Sequence, residues 1–461
     1  MCIVCGPGGT HLLRAIAARN APRPASRFEA QAVAPVVTPP LDPAARDGMD
    51  GPADVILRGG TVITMDPSCP EAEAVAVRAG RILAVGREAE VLAQRGRLTR
   101  LLDLQGGTLL PGFVNAHWHM PFTLLCAWYA VAGTIADTLA RAVAETPPGE
   151  WIVLSGGGAG DLSATAHPAV LTRADGAILA GNALAGADGP LPAHVAGLLD
   201  RFAARLRPGI VRPRLARLLR ESAAQGVTCL RVCGLGTLGG TDDLDLMRAA
   251  IERSQPVRLR ATLDAALLAE WRDLHLPPGF GDDAFRVDTV SAWPDTAGGY
   301  PAELRAAAAE GWRVTLHADA GHDWPVLAGE GPQYGIELRA MPDAAQLYAV
   351  RTAGLSLGLP ADQASADPGV PFSLGLDAAQ GASSPLEMLH AATEAGLPLH
   401  AALEAVTINA ARRCGAAEII GSLTPGKYAD FAFLSADPRH VPAAQLRCTG
   451  TWVNGLETFR A

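Results

Sequence analysis

The sequence predicts an α/β chain, a closed parallel (β/α)8 barrel of the TIM type with a small β unit drawn from both ends of the chain. Two observations carry this. Eight short runs rich in β-branched residues, from FVNAHWH to FSLGLD, alternate with Ala- and Leu-rich segments of helical period, the pattern of repeated β-α units that closes into a barrel. Outside them, ADVILRGGTVITMD near the start and GKYADFAFLSADP near the end share another texture. Apolar and polar residues alternate around glycine turns, as in half-buried antiparallel strands.

In chain order, residues 1–50 read as a flexible tail, rich in Pro and Ala with little periodicity. Its opening MCIVCGPGG places Cys2 and Cys5 in a C-x-x-C, but a structural zinc site wants four ligands and only His11 lies nearby, so the pair reads as incidental. Residues 51–112 form the first part of the β unit, 113–415 the barrel and 416–461 the second part of the β unit. The barrel strands are FVNAHWH, VTCLRVC, RLRATL, RVDTVSAW, RVTLHAD, IELRA, GLSLGL and FSLGLD. Between the first and second, SGGGAGD has the composition of a phosphate cradle without the P-loop lysine, and reads as a substrate loop.

Composition excludes several functions. The net charge is −9 and no basic cluster with interleaved aromatics occurs, which argues against nucleic-acid partners. No apolar run approaches the roughly 18 residues that cross a bilayer, so no membrane role is expected. Eight cysteines in 461 residues make no dense disulfide framework, which points to a reducing, cytoplasmic setting. A small-molecule substrate is the expected partner, with a homo-oligomer left open.

The chemistry begins at His117 and His119. Residues at i and i+2 of a strand face one side, and a strand end in such a barrel opens onto its mouth, so both imidazoles enter the mouth together. Burying two imidazoles without partners costs about 1–3 kcal/mol for each unsatisfied group, whereas a shared divalent cation satisfies both. Metal binding is therefore the expected use of the pair. Cys229 and Cys233, four apart on one strand, face one side and read as core thiols.

From Asp54 to about Gly455 the sequence resembles the amidohydrolase superfamily, on ADVILRGGTVITMD, LPGFVNAHWH, LHAD, LGLD, TINAARRCG and GSLTPGKYADFAFLSADP taken together. The last stretch is most similar to the branch with N-acyl-D-amino-acid deacylases and formamide deformylases. The resemblance implies a metal-dependent barrel and a β-sandwich built from both chain ends. It also implies a ligand set of His117, His119, His317 and Asp377, with Asp377 doubling as general base toward a metal-activated water.

Two positions depart from the branch. Its fourth strand carries a lysine or acidic residue bridging two metals, where this sequence has Ser291, unless Asp288 or Asp295 is recruited. Its sixth-strand histidine falls on Leu338, which cannot bind metal; His322 could replace it from a loop but reads better as a solvated residue. The expectation is one divalent ion, Zn2+ before others, in a mononuclear site similar to that of the superfamily's deaminases. The function expected is hydrolysis of a non-peptide C–N bond, amide or deaminase-like, in a small molecule. The alternative is a pseudoenzyme that keeps the barrel and binds a small molecule or partner without turnover. Arg231 and Arg339 are candidate anchors for a substrate carboxylate.

Overall fold

A computed structural model describes residues 49–118, 126–131, 133–146, 151–155, 160–167, 169–172, 178–181, 208–236, 242–252, 256–292, 300, 303–318, 334–338, 341–361, 364, 368–375 and 384–461. The first strands are β1 (Ala53–Ile63), β2 (Glu71–Arg78), β3 (Arg81–Gly86), β4 (Arg95–Asp103) and β5 (Thr108–Pro111). β1 and β2 pair antiparallel, Val55 opposite Val77 and Leu57 opposite Val75, so their apolar residues share a face. That face needs a cover, and the far end of the chain provides it.

The cover is β19 (Phe431–Leu434), β20 (Cys448–Val453) and β21 (Leu456–Arg460). β19 pairs antiparallel with β5, Phe431 opposite Pro111, so both chain ends enter one sheet in the order β21-β20-β19-β5-β1-β2-β3, with β4 on β1. Val55, Leu57, Ile82 and Leu109 pack there against Phe431 and Trp452, whose rings stack at 6.0 Å. The common texture of the two ends reflects this shared core.

The barrel strands are β6 (Phe113–Trp118), β11 (Val227–Leu235), β12 (Arg258–Asp264), β14 (Phe285–Ala292), β15 (Arg313–Ala318), β16 (Tyr334–Leu338), β17 (Ser356–Pro360) and β18 (Phe372–Gly375). All eight expected runs are strands, parallel and hydrogen-bonded in that order, with the two-residue β13 (Phe280–Gly281) added at the edge of β14. The circuit returns to its start: a Cβ on Gly375 of β18 would lie 3.1 Å from the Cβ of His117 on β6. Covered on both faces, these strands are buried almost throughout, as parallel strands are.

The helix Ala344–Ala353 shows how local chemistry delimits the units. Asp343 and Gln346 close a capping box at its start, and Gly354 at φ 65° ends it, a left-handed conformation that glycine adopts without strain. β17 then begins at Ser356. The helix Pro385–Glu394 starts likewise on a Ser384–Glu387 box with proline in its first turn.

One element has no counterpart in the sequence reading. β7 (Cys126–Ala130), β8 (Trp151–Ser155), β9 (Ala169–Thr172) and β10 (Ile178–Gly181) make a separate four-stranded sheet. It packs with the helix Ile135–Glu145 over Leu139, Ile152, Leu154 and Leu171. WIVLS, AVLT and ILAG are short continuous apolar runs, which periodicity alone does not mark as strands. Most of SGGGAGD lies outside the described residues, as do Cys2, Cys5 and His11.

Where the C-terminal segment turns into β19, Lys427 donates to Ser422 Oγ at 2.7 Å and to the Ile420 carbonyl at 3.3 Å. Burial disfavours its charge, only partly offset by Glu418, and lowers its pKa from 10.5 to about 8. Between those two values the unfolded chain binds the extra proton, so this group makes stability rise with pH across that window. Titration of the amine followed by NMR is expected to centre on about 8, and Lys427→Met to remove this part of the pH dependence. A midpoint near 10.5 would show the amine to be solvated.

Candidate active site at the barrel mouth

His117 and His317 are the penultimate residues of β6 and β15, both buried, with ring centroids 5.7 Å apart and planes at 61°. The fold thus brings together histidines 200 positions apart in sequence. His119 and Asp377, the other two members of the expected set, lie outside the described residues, as do Asp319, His322, Asp323, Asp295 and Arg339. Among the described residues no three His, Cys, Asp or Glu side chains converge on one metal position.

What organises the described part of the site is Glu337. It stands opposite His317 in the β15–β16 register, and its Oε1 is 3.3 Å from Nδ1 of His117. Arg413 donates to the same oxygen through Nε and Nη2 at 2.9 and 2.7 Å, and Arg231 approaches it at 3.5 Å. Burial opposes ionisation of this carboxyl, but Arg413, His117 and Arg231 together outweigh it and hold its pKa well below the usual carboxylate range. The group is a carboxylate at neutral pH. A carboxylate at Nδ1 selects the Nδ1–H tautomer and leaves the lone pair of His117 on Nε2, the orientation a metal-binding imidazole needs.

Glycines make the space for this cluster. A Cβ on Gly358 of β17 would lie 2.0 Å from Glu337 Oε2, and one on Gly335 of β16 would lie 2.8 Å from Arg413 Nη1. With Gly375 against His117, the three last barrel strands each yield a side chain's width to the network. Arg413 is fixed further by bonds from Nη1 to the Ser356 carbonyl and hydroxyl at 3.0 and 3.1 Å.

Several residues take other roles than expected. Arg231 is 1% exposed, donates to Thr262 at 3.1 Å and also to Thr315, and is committed to the interior, so it does not serve as a substrate anchor. Cys233 places Sγ 3.8 Å from Nδ1 of His117 and belongs to the wall of the site, while Cys229 packs in the core with Cys414. Ser291 is buried and donates to the Leu263 carbonyl at 3.2 Å. Asp288 lies toward Gly415 and Arg313, at the opposite end of the barrel from His117, and is no substitute bridge. Leu338 packs in the main hydrophobic core.

Two family models described as amidohydrolase match the chain, one over residues 100–323 and the other over residues 358–457. The chain belongs to the amidohydrolase family. The two matches contain all four positions of the expected ligand set. Imidazolonepropionase of Aromatoleum aromaticum is 29% identical over 406 residues, 79% of this chain and 85% of that protein. N-substituted formamide deformylase of Arthrobacter pascens is 32% identical over 107 residues, 22% of this chain. That alignment spans only 20% of the deformylase's own length. A metal-dependent hydrolase of Pyrococcus horikoshii superposes with a TM-score of 0.65 at 15% identity, covering 85% of this chain and 99% of its own, and shares the fold.

Within this amidohydrolase, sequence reading passed over Glu337 and Arg413. A signal existed for the first: YGIEL carries one charge in an otherwise apolar buried strand. For the second, INAARRCG has two adjacent arginines, and periodicity does not say which is buried.

Proposed function

We propose that this amidohydrolase hydrolyses a non-peptide C–N bond, amide or deaminase-like, in a small molecule, using one divalent metal ion held by His117, His119, His317 and Asp377. The observation that carries the reading is the Glu337 carboxylate on Nδ1 of His117, because a buried charge aimed at the far nitrogen of an imidazole is the usual support of a metal ligand. A bound divalent ion would act as a Lewis acid that lowers the pKa of water toward 7. Zn2+ suits a set of three imidazoles and one carboxylate. Asp377 takes the proton and delivers it to the departing nitrogen. Glu337 at Nδ1 of His117 leaves Nε2 of that ring to face the metal.

The pseudoenzyme reading draws on Ser291, whose hydroxyl is bonded to backbone where the related branch has a metal bridge. Elemental analysis and one variant separate the two. Protein purified with metal present is expected to hold one ion per chain. Asp377→Asn is expected to keep that ion while turnover on a panel of formamides, N-acyl amines and aminopurines falls about 10²–10⁴-fold. Absence of metal, or absence of turnover across the panel by the metal-loaded native protein, would favour the pseudoenzyme. Two ions per chain would contradict the mononuclear site.

A further inference from the structure

At the opposite end of the barrel a cavity of about 570 Å³ opens among the starts of β15, β17 and β18 and the ends of the helices Ala344–Ala353 and Ile408–Arg413. Four arginines line it, Arg313, Arg351, Arg412 and Arg413, against one carboxylate, Glu418. The charge of Arg413 is matched by Glu337, which leaves three guanidiniums facing one acid. Three groups just outside the wall also act here: Asp288 attracts Arg313, Arg231 repels it, and Lys427 feels both Glu418 and Arg412.

The three arginines are oriented without being neutralised. Arg313 donates to the Arg412 carbonyl at 3.0 Å, Arg351 to the Gly369 carbonyl at 3.5 Å, and Arg412 to Asn409 Oδ1 at 2.5 Å. Among the described residues none of the three makes an ion pair within 4.0 Å, and these bonds use one donor each of the five a guanidinium carries. Helix C-termini favour Arg351 and Arg412 by about 0.3–1 kcal/mol each. That places cations at the helix ends, but it does not explain why they wall a common void together with Arg313 from a strand. Burial works against the charge of Arg313, and the attraction of Asp288 offsets it only in part.

We propose that this cavity is a second ligand site, for an oxyanion of the phosphate class gripped by Arg313, Arg351 and Arg412. Guanidinium forks match phosphate oxygens in geometry as well as charge. The proposal is independent of the chemistry assigned to the His117 end.

The test is a titration of the full chain with inorganic phosphate at constant ionic strength, read by 31P line broadening, on the native protein, on Arg351→Gln/Arg412→Gln and on His117→Ala. Both substituted arginines are exposed, and unfolding midpoints establish that the variants fold. Saturable binding weakened at least tenfold in the double variant, and kept in His117→Ala, is the expected result. Three outcomes would overturn the site: no saturable binding by the native protein, equal binding by the double variant, or loss in His117→Ala, which would place the phosphate at the barrel mouth.

Discussion

His117→Ala is expected to strip the protein of metal, and Glu337→Gln to weaken metal binding about 10–100-fold without changing the stoichiometry at saturation. The first removes a donor atom. The second keeps the volume of the side chain and an acceptor near Nδ1, but withdraws the charge that sets the tautomer of His117 and pairs with Arg413 and Arg231. Metal transfer to a competing chelator, followed by absorbance, measures both. Glu337→Gln holding metal as tightly as the native protein would mean that the carboxylate serves only to pair the two arginines. The same variant bears on acid stability. The folded pKa of Glu337 lies below the unfolded value, so its contribution is complete above the ordinary carboxylate pKa and is lost as pH falls through the folded pKa. Glu337→Gln should therefore flatten the acid limb of stability against pH.

Asp430→Ala is expected to destabilise the protein by about 3–5 kcal/mol, the cost of leaving a buried partner charge uncompensated. Asp430 precedes β19 in the β unit and accepts two bonds from Arg258 of β12 in the barrel, at 2.6 and 3.0 Å, with both side chains 2% exposed. Its Oδ1 also accepts the Asn454 amide at 2.8 Å. Tyr428 stacks between two guanidiniums, Arg81 at 3.9 Å and Arg258 at 4.1 Å, and donates its hydroxyl to Asp283. Removing the carboxylate therefore loosens the joint between barrel and sheet as well as the pair. Urea unfolding provides the measurement, with Arg258→Met/Asp430→Leu as the control that removes both charges and is expected to recover much of the loss. A loss below about 1 kcal/mol in Asp430→Ala would show that the pair contributes no more than a solvated surface ion pair.

The barrel strands were legible because strands buried on both faces need continuous β-branched and apolar residues, and that demand is written locally in each run. The joint sheet was legible for a related reason, since ADVILRGGTVITMD and GKYADFAFLSADP share a texture of short apolar runs between turns, although FAFL itself is buried at every position. The sheet of β7 to β10 was not, since short strands separated by glycines leave no period to read. Local pattern also misdirected attention on β16, where the departure at Leu338 drew the eye and the adjacent Glu337 makes the contacts to His117 and Arg413.

By itself the sequence determined the eightfold strand-helix alternation, the common texture of the two ends and the spacing of the two histidines in FVNAHWH, because each is written in periodicity or spacing within a few residues. Only the tertiary structure decided what His117 leans on. Glu337, Arg231 and Arg413 come from three distant segments, and their charges are affordable in the interior solely because they meet each other. The glycines at 335, 358 and 375 gain their meaning the same way, as the space those groups occupy. The arginine cavity likewise exists only once β15, two helix ends and the start of β18 are assembled. Pairing of charge and sharing of volume are properties of contacts between remote residues, and no local pattern encodes them.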